Sequence, residues 1–161
     1  MGNPDKERAI QIQELAERGV EIDLFGNHWE RFVSHNGISI FPPVYSNDFW
    51  KVLYRYRIQL NIMRVHNLES HNMRSFEVPG IGGIQLAPDT PEHRLFCSWK
   101  EIFLYKGISE CITTIEKLLS LTAEQAREIR SNAQARCVQS GYSYHDRALQ
   151  ALEALKEVIH D

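Results

Sequence analysis

Between Glu69 and Gly83 the chain reads Glu-Ser-His-Asn-Met-Arg-Ser-Phe-Glu-Val-Pro-Gly-Ile-Gly-Gly, and these residue types suit a phosphorylated nucleoside. Arg74 carries a permanent positive charge on a planar fork that meets phosphate oxygens two at a time. Glu77, one helical turn further on, offers carboxylate oxygens to ribose hydroxyls. A short helix is predicted from Asn72 to about Val78, stopped by Pro79 and Gly80. Its N-terminus presents backbone N–H groups to a diphosphate. The three-residue spacing of Arg74 and Glu77 also allows an ion pair on the helix, a common and weak arrangement. Gly80, Gly82 and Gly83 follow this helix and precede a strand, the reverse of the order in a dinucleotide fingerprint, and read as a turn.

Other chemistries find no pattern. The seven histidines include no His-Glu-x-x-His, and His66 and His71 have no cysteine pair nearby. No Asp-x-Asp occurs, nor a Walker loop or a Gly-x-Ser-x-Gly. No metal and no cofactor is expected, and no catalytic residue stands out.

The elements that must position Arg74 and Glu77 alternate. A first helix opens near Asn3, Pro4, Asp5 and Glu7, with Asn3 as its cap and Ile12, Leu15, Ala16 and Gly19 on one face. Strands are predicted over Glu21–Gly26, Ile38–Val44, Ile58–Met63, Ile84–Ala87 and Glu101–Tyr105. A turn or short helix lies over His28–His35, a helix capped by Asn47 or Asp48 runs through Tyr56, and another follows from Pro91 to Trp99. The last third is helical: a stripe from Ile108 to Leu119, a helix opened by a Thr122/Gln125 capping box and ended by Gly141, and a final helix opened by Ser143 and Asp146. Ala148, Leu152, Leu155 and Ile159 share one face of that final helix. Tyr142, Tyr144 and Arg147 are expected to pack against it.

Strands alternating with helices imply an α/β fold, a Rossmann-like parallel sheet flanked by helices with a helical C-terminus. Ligands of such sheets bind at the carboxyl ends of the strands. A doubly wound unit ordinarily opens on a strand, whereas this chain opens on a loop and helix. Either Met1 and Gly2 are the stub of that strand or, the reading preferred here, residues 1–161 are a single domain cut from something longer.

With 161 residues, 43% apolar and 24% charged content and a net charge of -3, the chain has the balance of a globular protein. It has no basic footprint for nucleic acid. No apolar run approaches the roughly 20 residues of a membrane span, and the polar start lacks a signal peptide's apolar segment. Cys97, Cys111 and Cys137, odd in number and scattered, fit reduced thiols and a cytoplasmic setting.

Arg74, Phe76, Glu77, Gly82, Gly83 and the apolar Ile84–Leu86 resemble the donor-binding signature of GT-B glycosyltransferases, and more specifically that of the CgeB-type (spore maturation protein) family. Gly2 to Arg8 is similar to that family's glycine-loop-arginine opening, and Val20–Gly26 with Trp29 to its strand-Gly-Trp unit. Leu60–Ile62 matches its Ile-Asn-Leu-like strand loosely. Phe96, Glu101 and Tyr105 resemble its next unit, and Tyr144 and Arg147 its closing element, with Ser143 where the pattern has threonine. The resemblance implies the C-terminal half of a GT-B fold, holding a nucleotide-diphosphate sugar at the carboxyl edge of the sheet. Glu77 would hold the ribose, and Arg74, with Arg8 on the opening loop, the diphosphate. Glu69 takes the place of a glutamate that contacts the donor sugar. Ser70, His71 and Asn72 stand where a glycine-rich loop usually follows. Transfer would be metal-independent and would need an N-terminal acceptor-binding domain, so the chain alone is expected to be inactive. The alternative is a non-catalytic nucleotide-binding or scaffold module of the same fold.

Overall fold

The computed structural model describes residues 1–64, 70–96 and 101–160. Helix α1 (Lys6–Glu17) is capped by Asp5, whose Oδ1 accepts from the Arg8 N–H at 3.0 Å. Asn3 does not cap it: its side-chain oxygen accepts from Asn27 N–H at 3.3 Å instead. Ala9, Ile12, Leu15 and Ala16 form the buried face. Gly19 is not part of that face; at φ +91° it supplies the left-handed turn beyond the helix end.

Strand β1 (Ile22–Phe25) pairs in parallel with β2 (Ile38–Phe41), across a 3-10 turn at Trp29–Arg31. Helix α2 (Ser46–Arg55) follows. Its cap position is Tyr45 and makes no side-chain capping bond, while Asp48 pairs with Lys51 inside the helix, 3.0 Å away. Of the predicted Ile58–Met63 strand only β3 (Gln59–Leu60) pairs. Helix α3 (Arg74–Gly80) leads to β4 (Gln85–Pro88), helix α4 (Pro91–Phe96) follows, and then β5 (Ile102–Tyr105). The predicted continuation of α4 to Trp99 lies outside the described residues. β3, β4 and β5 form a parallel sheet in that order, with helices as crossovers. The α/β class holds, but the expected single sheet is two, one of two strands and one of three.

Both sheets share one interior. Ile22 of β1 and Leu60 of β3 pack against the cluster around Ile12, Leu24 and Trp29 and also against the cluster around Leu15, Leu86 and Ile115. Helix α5 (Ile108–Leu119) buries Cys111, Ile115 and Leu118. Helix α6 (Ala123–Gln139) opens with the Thr122/Gln125 capping box and lies against α3. Helix α7 (Tyr144–His160) turns away from this core. Its Leu152, Leu155, Val158 and Ile159 are exposed, and Tyr144 is 85% exposed, so Tyr144 does not pack it down. Tyr142 does pack, edge-on to Phe76, with Arg147 over its ring. Among the described residues no helix is long and apolar enough to cross a membrane.

Candidate functional site

Asn61 directly follows β3, and the chain returns to that point eleven residues later, at Asn72, as it enters α3. Asn61 is buried, yet its side-chain amide is satisfied: Asn61 Nδ2 donates to Asn72 Oδ1 at 3.2 Å and Asn72 Nδ2 donates back to Asn61 Oδ1 at 2.8 Å. A buried amide without such a partner would cost about 1–3 kcal/mol. The reciprocal pair therefore fastens the α3 entry to the carboxyl end of β3. Asn72 Oδ1 also accepts from Arg74 N–H at 2.9 Å, which fixes where the arginine leaves the backbone.

Arg74 then reaches a cleft of about 250 Å³ bounded by Met1, Arg8, Asn61, Asn72 and Arg74. The guanidinium lies 4.5 Å from the centre of the Phe49 ring on α2 and pairs with Glu77. Arg8 comes from the first turn of α1. Its Nη1 donates to Asn3 O at 2.9 Å, its guanidinium lies 5.7 Å from the centre of the Trp29 ring, and its Nε has no partner among the described residues. Burial pulls the Arg8 pKa down; Asp5 opposes that, and Arg64 and Arg74 add to it. An arginine remains protonated through such shifts. The Met1 amino group shares the cleft, and burial, then Arg74 and Arg8, push it down to about 5. Two partly buried guanidinium groups thus flank a cleft at the carboxyl end of the strands, which is an anion-binding arrangement.

The residues expected from the sequence divide. Arg8, Asn72 and Arg74 line the cleft. Glu77 does not line it and touches it through Arg74. His71 lies to one side, with Nδ1 and its backbone N–H both bonded to Glu92, which also accepts from Ser70 Oγ at 3.2 Å. That hydrogen bonding holds the Glu92 carboxyl below its usual range. Glu69 lies outside the described residues. The start of α3 also differs from the expectation of open N–H groups, because Arg74 N–H is taken by Asn72 Oδ1, Ser75 N–H by Asn72 O, and Phe76 and Glu77 N–H by Met73 O. The cleft's positive character comes from its arginines and not from the helix end. Asn61 was missed; the available signal was an amide flanked by Leu60 and Ile62 at a strand's carboxyl end.

Behind the cleft, His93 is fully buried and joins α3 to α4. Its Nδ1 donates to Pro88 O at 2.8 Å, so Nε2 accepts from Ser75 Oγ at 2.9 Å. Burial pulls its pKa down, consistent with a neutral ring. Cys111 is buried with its thiol pushed up to about 12, and burial raises Cys137 too, so neither thiol is activated.

The model of the glycosyl transferase-like family matches residues 8–153. The chain belongs to that family. Among solved structures it is similar to a glycosyltransferase from Rickettsia africae ESF-5, with a TM-score of 0.71, 14% sequence identity and 97% of this chain covered. At that identity the likeness establishes the fold. This glycosyl transferase-like chain spans 45% of the length of that structure. No curated protein matches it.

Proposed function

We propose that this chain is the donor-binding half of a GT-B glycosyltransferase of CgeB type, holding a nucleotide-diphosphate sugar in the cleft between Arg8 and Arg74. The carrying observation is the convergence of those two guanidinium groups at the carboxyl ends of the strands, beside the Asn61–Asn72 pair. The family match makes a sugar donor the natural anion for it. Arg74 and Arg8 would neutralise the departing diphosphate, in place of a metal ion. Glu77 would exchange part of its pairing with Arg74 for ribose hydroxyls as Arg74 turns to the phosphates. The acceptor and the base that activates it would come from a further, N-terminal domain. This chain alone is then expected to bind donor without efficient transfer. The free thiols of Cys111 and Cys137 suit a reducing, cytoplasmic setting.

Glu77→Gln tests the ribose assignment. Calorimetry with a nucleoside diphosphate and with inorganic pyrophosphate should separate the two roles of this side chain. The nucleoside diphosphate should lose about tenfold in affinity, the equivalent of one charged hydrogen bond, and pyrophosphate should lose nothing. Equal behaviour of the two probes would leave Glu77 as a partner of Arg74 only.

A further inference from the structure

Helix α2 leans on α3 and α6 through two arginine–aromatic contacts. Phe49 and Leu53, one helical turn apart, share a face of α2. Leu53 is buried and borders the cleft, as Val78 of α3 does. Phe49 is half-buried and carries the Arg74 guanidinium over its ring, 4.5 Å from the ring centre. The neighbouring Trp50 ring meets that of Phe49 at 81°, with centres 4.8 Å apart. Further along α2, Tyr54 lies under the guanidinium of Arg130 from α6 at 5.0 Å, and Arg130 Nη2 donates to Tyr56 O at 2.9 Å. Neither Tyr54 nor Arg130 borders the cleft. The two contacts therefore share a helix and a chemistry, and only the first involves an anion-binding side chain.

A guanidinium is planar, with its N–H donors in the plane and its two faces without donors. Phe49 takes a face of Arg74, and Glu77 takes Nη1 at the edge. Among the described residues Nη1 is the one guanidinium nitrogen of Arg74 that makes a bond. Nε and Nη2 are thus available to an anion in the cleft. Arg8 and Arg74 repel each other there, and Arg74 is among the charges that lower the Arg8 pKa. Glu77 offsets that repulsion while it is paired, but the same carboxylate is assigned to the ribose once a donor is bound. The Phe49 ring holds Arg74 without occupying a donor and without cancelling its charge. A stacked guanidinium has also given up rotamer freedom before the anion arrives, so less is lost on binding.

We propose that Phe49 is the positioning residue for Arg74: its ring fixes the plane of the guanidinium, so that the Nε and Nη2 edge stays presented to the diphosphate after Glu77 lets go. The role rests on the donor-site reading given above. Phe49 acts through Arg74 and holds no phosphate itself. Its contact with Arg74 persists in the bound state, because stacking uses a face and phosphate uses the edge. The Tyr54–Arg130 contact supplies the control, since losing it weakens the docking of α2 without touching the cleft.

The test titrates the chain with inorganic pyrophosphate by calorimetry and follows the Arg74 Hδ protons, with their contacts to the Phe49 ring, by NMR. Phe49→Leu keeps an apolar side chain and removes the ring; it should shift the Hδ protons downfield and weaken pyrophosphate by at least about threefold. Phe49→Tyr should restore both readouts, and Tyr54→Leu should leave the affinity unchanged. If Phe49→Leu does not fold, the unmodified chain decides: the contacts between Arg74 and the Phe49 ring should survive saturation with pyrophosphate, and their loss on binding would overturn the proposal. Wild-type affinity in Phe49→Leu would overturn the positioning role alone, as would equal weakening by Phe49→Leu and Tyr54→Leu. Failure of the unmodified chain to bind pyrophosphate would instead remove the donor-site reading, and the role of Phe49 with it.

Discussion

The three-stranded and two-stranded sheets follow one local recipe, short parallel strands joined through helical turns, yet they end in different environments. Strand β4 has neighbours on both sides, and its Gln85, Leu86 and Ala87 are wholly buried. Strand β2 has one neighbour, and Ser39, Ile40 and Phe41 are exposed. The difference teaches where this unit is closed and where it is open. Parallel strands rely on cover over both faces; the β4 side has it, whereas β1 and β2 join the rest mainly through the side chains of Ile22, Leu24 and α1. The candidate site sits at the seam, with Arg74 on the closed side and Arg8 on the open one.

This asymmetry can be broken first at its strongest point. Leu86→Ala in β4 should cost about 2–5 kcal/mol in urea unfolding, since a fully enclosed side chain leaves a cavity that cannot collapse. Gly26→Ala should cost about 1–3 kcal/mol, because a Cβ there would lie 2.2 Å from Gly2 O and 2.9 Å from Trp29 Nε1. Trp29 fluorescence should shift with it, reporting loss of the hydrogen bond from Gly2 N–H to Phe25 O. A third effect depends on pH. His93 has its pKa lowered from 6.5 by burial, so the unfolded chain takes up its proton first as pH falls. The stability it contributes is complete above about 6.5 and is lost as pH drops from there towards the folded value, by at most about 1.4 kcal/mol per pH unit. His93→Gln should flatten that slope between about pH 7 and pH 5.5. Smallest of all, Ile40→Ala on β2 should cost less than about 1 kcal/mol, since the side chain is already 39% exposed. Equal losses at Leu86 and Ile40 would erase the contrast between the sheets.

Much of the closed side was legible in the sequence because local signals and tertiary burial agree there. Leu86 lies in the strand expected over Ile84–Ala87, which forms as β4, and Thr122 with Gln125 makes the predicted capping box in full. Where two residues could serve one role, the sequence reading chose the wrong one, Asn3, as the first helix cap. Asn3 and Asp5 are both good caps, and the choice fell to Asp5 because Asn27 engages Asn3. The stripe on α7 was legible as a stripe, but a helical period does not say what covers it, and Leu152 and Leu155 remain exposed. The Asn61–Asn72 pair is a product of chain return, which no local pattern encodes. Arg74 was singled out from residue chemistry and Asn72 only through the resemblance; the Asn61–Asn72 pairing and the sequestered α3 N–H groups needed coordinates.

The central claim is that Arg8 and Arg74 make an anion site for a nucleoside diphosphate. Its most direct test is calorimetric titration of the chain with uridine, guanosine and thymidine diphosphates, repeated with Arg74→Ala and Arg8→Ala. At least one diphosphate should bind at a single site with a Kd of about 1 mM or tighter, and each substitution should weaken it by about tenfold or more. No binding by the folded chain at millimolar concentration, or an affinity unchanged by Arg74→Ala, would contradict the account.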